Sequence, residues 1–63
     1  MLDLEFERKS RNFTQQDVAD ACGISRSYVA AIECGIRSPH PKVAKRIGKF
    51  LGIDWTEFFS DED

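Results

Sequence analysis

Apolar residues along this chain fall into short groups with helical spacing. Val18, Ala19 and Cys22 make one face. Val29 and Ile32 make a second, and Val43, Ile47, Phe50 and Leu51 a third. Spacings of three and four residues place such side chains on one side of a helix of two or three turns. No alternating run of β-branched and aromatic residues bounded by turns is present, so the pattern predicts no strand.

The polar residues between these groups supply starts and stops. A first helical unit covers residues 2–11, with Leu4 and Phe6 as its apolar positions, and Asn12 can take the left-handed conformation that ends it. Thr14 is a good N-cap, and Asp17 stands three residues on, where an acid favours a helix start. The second helix then covers about 15–22 and stops at Gly23. Ser25 caps a third helix over about 26–33, closed by Gly35. After the turn "RSPHPK", Pro41 suits the first position of a fourth helix, where no N–H is needed. That helix covers about 41–51, with Lys42, Lys45, Arg46 and Lys49 outward, and Gly52 ends it. Asp54 caps a last short helix carrying Trp55, Phe58 and Phe59. The expectation is an all-α fold of five short helices joined by loops of a few residues.

Sixty-three residues make one domain, 1–63, near the lower size limit for folding on a hydrophobic core alone. The 41% hydrophobic content argues against disorder. No apolar run approaches the roughly 20 residues that span a bilayer. "MLDLEFERK" has acids where a secretory signal needs bases, so the expected location is the cytoplasm. The start Met and the acidic "SDED" end read as an intact small product. Cys22 and Cys34, with His40 as the sole histidine, are too few for a familiar zinc site, and Cys22 reads as a small core residue. No nucleophile–base set can be assembled, so no enzyme, metal, cofactor or small-molecule ligand is expected.

The net charge of −2 hides a segregation. Residues 8–49 hold all nine bases and three acids, a net +6. Residues 1–7 carry three acids and residues 50–63 carry five, ending in the acidic tail 60–63. A basic middle between acidic ends can face a polyanion, because the local field governs binding more than the total charge.

The second and third helices are separated by only Gly23–Ser25. A connection that short forces a sharp crossing, the geometry of a helix-turn-helix, here over about 15–34. Ala19 is small enough for close approach, and Ile24, Val29 and Ile32 can bury against the rest. On these residues the stretch "FTQQDVADACGISRSYVAAIECGIRSP" resembles the Cro and phage-repressor (XRE) family, and with "FLGID" the likeness covers roughly residues 4–59. It implies a compact five-helix, phage-repressor-like domain whose third helix enters the DNA major groove. It also implies a homodimer on a two-fold related operator in double-stranded DNA.

If Val29 and Ile32 face the core, then Arg26, Ser27, Ala30 and Ala31 point away, and such helices read bases mainly through their N-terminal residues. Arg26 can bond guanine O6 and N7 with both arms, and Ala30 or Ala31 can touch a thymine methyl. Ser27 reads weakly. Tyr28 either reaches the sugar–phosphate chain or is a partly buried structural residue. For backbone contacts, relatives use the glutamine matching Gln15, at a helix start that favours phosphate. Ser25, Arg37 and Ser38 are suitably placed, with Lys9, Arg11 and Lys42 as additions. Lys45, Arg46 and Lys49 read as a solvated face. The resemblance also implies a pair between Arg8 and Glu33 bracing the first and third helices.

The chain departs from its relatives in places. Glu7 stands where many have an inward Leu, leaving Leu4 and Phe6 to place the first helix. Pro41 and Lys45 replace frequent apolar residues. Ala31 lacks the longer polar side chain common at that reading position, so DNA shape carries more of the specificity. Trp55 and Phe59 either form a dimer contact or seal the small core with Phe58. The leading expectation is a sequence-specific transcriptional regulator, a repressor of phage or mobile-element type. A restriction–modification controller and an autorepressing antitoxin are close in function. The alternative from another class is a protein-interaction adaptor on the same fold.

Overall fold

The computed structural model describes residues 2–59. The acidic tail 60–63 lies outside them. Four α-helices run in the order α1 (Leu4–Lys9), α2 (Gln15–Cys22), α3 (Arg26–Glu33) and α4 (Pro41–Leu51), followed by a 3-10 turn over Trp55–Phe59. The expectation of five helices is therefore corrected to four and a turn. The closing segment is held as a single tight turn. The Asp54 carboxylate accepts from the amide and hydroxyl of Thr56 at 3.0 and 2.6 Å. The Glu57 carbonyl accepts from the Leu2 amide at 3.3 Å, tying the two ends of the domain together.

The helix starts are made by local chemistry. Thr14 and Asp17 exchange side-chain-to-amide bonds at 3.0 and 2.9 Å, a reciprocal capping box. Ser25 Oγ accepts from the Tyr28 amide at 3.0 Å. At α4 the cap is His40, whose Nδ1 accepts from the Lys42 amide at 3.2 Å, with Pro41 at the first helical position. Pro41 itself is exposed, and the proline that enters the interior is Pro39.

α1 is shorter than the expected 2–11, and it faces differently. Leu4 is buried but Phe6 is 63% exposed. The inward partner of Leu4 is Arg8, one turn on. Residues i and i+4 share a helix face, whereas i+2 lies on the far side, so Leu4 and Arg8 exclude Phe6. Glu7 is half-buried and bonds Arg11 Nη1 at 2.8 Å.

The core is built mainly by α2, α3 and α4. Val18, Ala19, Val29, Ala44 and Ile47 are fully enclosed, with Cys22, Leu51 and Phe58 beside them. Burying a Val, Leu or Ile contributes about 1.5–3 kcal/mol each. Phe13 and Phe50 meet at 4.7 Å between ring centroids and close one side. No helix among the described residues is long and apolar enough to cross a membrane.

Candidate nucleic-acid interface

The crossing of α2 and α3 is made at Gly23, whose φ of +69° ends α2 in the left-handed region. The amides of Gly23 and Ile24 both return to the Ala19 carbonyl, so the chain reverses within one residue of the helix end. Ala19 and Val29 are fully buried at this crossing. That leaves the opposite side of α3 outward. Arg26 and Ser27 are exposed, while Ala30 and Ala31 are half-buried. Ile32 is also half-buried and packs against the core from its edge.

Tyr28 sits between that outward face and the loop after α3. Its hydroxyl oxygen accepts from the His40 amide at 3.0 Å. The Arg37 guanidinium stacks over its ring at 4.5 Å from the centroid. Tyr28 thus links the start of α3 to the entry of α4 and holds Arg37 beside α3. Among the described residues the Tyr28 hydroxyl donates to no acceptor. Ser38 and Lys42 are exposed nearby in sequence.

Arg8 and Glu33 form a bidentate pair, Nε to Oε2 at 2.6 Å and Nη2 to Oε1 at 3.1 Å, with side chains only 8% and 4% exposed. Arg8 Nη1 also donates to the Phe13 carbonyl at 2.9 Å. The bond to Glu33 raises the Arg8 pKa above its ordinary value. Burial pushes Glu33 up, but bonds from Arg8 and Gln15 and the charge of Arg8 outweigh it and leave its carboxyl below the usual range.

Besides Ser25, which caps α3, and Arg37, which lies on Tyr28, three more of the expected backbone contacts have partners within the protein. Gln15 Nε2 donates to Glu33 Oε1 at 3.0 Å. Lys9 pairs with Glu5 at 2.6 Å and Arg11 with Glu7, each across one turn near α1. Two bases read as a solvated face have definite contacts. Arg46 Nη1 donates to the Cys22 carbonyl at 3.4 Å, and Lys45 Nζ lies 5.2 Å from the Trp55 ring centroid. Sequence reasoning missed the Arg46 contact. A signal existed: α2 has no base in its last turn, so its terminal carbonyls needed a donor from elsewhere.

A helix-turn-helix family model (HTH_3) matches residues 4–58. The chain belongs to this family, the Cro and phage-repressor type. It is 48% identical over 58 residues to the uncharacterized HTH-type transcriptional regulator YqaF of Bacillus subtilis, covering 92% of this chain and 76% of that one. It is 40% identical to the uncharacterized HTH-type transcriptional regulator MJ0272 of Methanocaldococcus jannaschii, covering 95% and 91%. At 30% identity it is similar to the cryptic phage CTXphi transcriptional repressor RstR of Vibrio cholerae, covering 89% of this chain and half of that one. No solved structure matches the chain significantly. The helix-turn-helix of this family member is α2, Gly23–Ser25 and α3.

Proposed function

We propose that this helix-turn-helix protein is a cytoplasmic, sequence-specific regulator of transcription that binds double-stranded DNA. The observation that carries the reading is the outward face of α3. Arg26 and Ser27 are exposed at its start while Val29 is fully buried behind them. In this reading Arg26 is the strong base reader, and Ser27, Ala30 and Ala31 contribute weakly. Gln15, Ser25, Arg37, Ser38 and Lys42 contact phosphates. Tyr28 positions Arg37 and can lend its hydroxyl proton to the backbone. Lys9 and Arg11 can join only by leaving their carboxylate partners. The relation to a phage repressor supports repression as the mode of action.

A single domain this small reaches two half-sites only as a dimer, the centres lying about 34 Å apart. Phe59 is 43% exposed and packs edge-on against Trp55 at 6.1 Å, so the pair offers an apolar surface for a second copy. Selection of bound duplexes from a random pool tests the whole reading. A two-fold related consensus with one helical turn between half-sites is expected. Affinity for random duplex should fall steeply between about 50 and about 200 mM salt. Weak binding that ignores salt would overturn DNA recognition and favour an adaptor.

A further inference from the structure

The first residue of α2 and the last residue of α3 are bonded to each other, Gln15 Nε2 to Glu33 Oε1 at 3.0 Å. A carboxylate only accepts, so it faces the nitrogen end of the Gln15 amide and disfavours the flipped orientation. One N–H is used on Glu33. Among the described residues the second, on the same nitrogen, has no acceptor and is left for another. Gln15 is half-buried, so it reaches solvent while anchored inside.

A bare carboxylate there would oppose an approaching phosphate. Glu33 is not bare, because Arg8 neutralises it through two bonds while both side chains stay more than nine-tenths buried. The third arm of Arg8 holds the Phe13 carbonyl, one residue before the Thr14 cap. The entry of α2 and the Gln15 amide are therefore set from one guanidinium–carboxylate pair contributed by α1 and α3. We propose that Glu33 is a positioning residue for DNA binding: neutralised by Arg8, it orients the Gln15 amide so that a donor faces the DNA phosphate. This rests on the reading of Gln15 as a phosphate contact.

A double-mutant cycle on affinity for random duplex tests it. In the native protein Gln15→Ala should weaken binding about tenfold, as loss of a hydrogen bond to a charged group does. Replacing the pair together, Arg8→Met with Glu33→Met, leaves no lone buried charge. In that background Gln15→Ala should cost less than about threefold, because the amide is no longer held. An equal loss in both backgrounds would mean that the pair is only structural. No loss in either would remove Gln15 from the interface, while salt-dependent binding would keep the DNA reading. A second measurement needs no change to the pair. On titration of the native protein with duplex, one Gln15 side-chain amide proton should shift strongly in NMR while its geminal partner holds. Equal movement of both overturns the proposal.

Discussion

Gly48 and Trp55 are in contact at a distance no other residue at position 48 would permit. A methyl group placed on Gly48 would stand 2.8 Å from Trp55 Cβ and 2.9 Å from the Ile53 carbonyl oxygen. The chain turns at Gly52 and comes back onto α4 through this gap. It seats Phe58 in the core and leaves Lys45 over the indole. Gly48→Ala gains about 1 kcal/mol of helix propensity. The neighbours are backbone and Cβ atoms that cannot swing away, and such overpacking costs about 1–3 kcal/mol. The net effect should be destabilising, with a Tm several degrees lower in thermal melts followed by circular dichroism.

The Arg8–Glu33 pair predicts both a mutational and a pH response. Arg8→Met alone should cost about 3–5 kcal/mol by stranding a buried carboxylate, enough to unfold most of a domain this small at ambient temperature. The joint change Arg8→Met with Glu33→Met should restore much of that in urea melts. The folded Glu33 pKa lies below the ordinary carboxylate value. Its stabilisation is thus full above an unfolded pKa of about 4.3 and declines as the pH falls toward the lower folded value. Glu33→Gln should flatten that part of the stability–pH curve.

Tyr28→Phe separates the two jobs of this side chain. It removes the acceptor for the His40 amide but keeps the ring beneath Arg37. A loss of about 1 kcal/mol in stability is expected, measured by denaturant unfolding. Tyr28→Ala frees Arg37 as well and should weaken binding to duplexes of every sequence.

The two thiols should react differently. Cys34 is exposed, whereas Cys22 is buried and burial pushes its thiol pKa up. A thiol reagent should modify one cysteine in the native protein and two after denaturation. Fast native modification of Cys22 would contradict the packing of α2 against α4.

Arg26→Ala should relax base discrimination at one operator position by about 1–3 kcal/mol. Parallel selections with native and variant protein would show the change as loss of a preferred base. A uniform loss across sequences would move Arg26 from base reading to backbone contact.

Much of the fold was legible because it is written in local signals. The Thr14 and Ser25 caps, Pro41 at the start of α4 and the helix ends at Gly23 and Gly52 all occur where the sequence placed them. The helix-turn-helix followed from the three-residue gap and small Ala19. The inward face of α1 was not legible. Leu4, Phe6 and the charged residues around them allow two faces, and the apolar one lost to a buried arginine. The bases of α4 were read as one solvated face and all are exposed, but Arg46 also donates to the Cys22 carbonyl and Lys45 lies over Trp55, contacts the sequence did not show. Long polar side chains with apolar stems look alike in sequence whichever surface they lie on.

Helix limits, turn conformations and the crossing of α2 on α3 were set within a few neighbouring residues, since a cap, a proline or a left-handed glycine acts over one turn. Contacts between distant residues needed the assembled core. The pair of Arg8 with Glu33, 25 residues away, was expected only from the family resemblance, and its burial between α1 and α3 needed the packed helices. Gln15 is turned inward by the same carboxylate, and Trp55 can close on α4 only because position 48 has no side chain. Each depends on a partner that packing, not adjacency, brings within bonding distance.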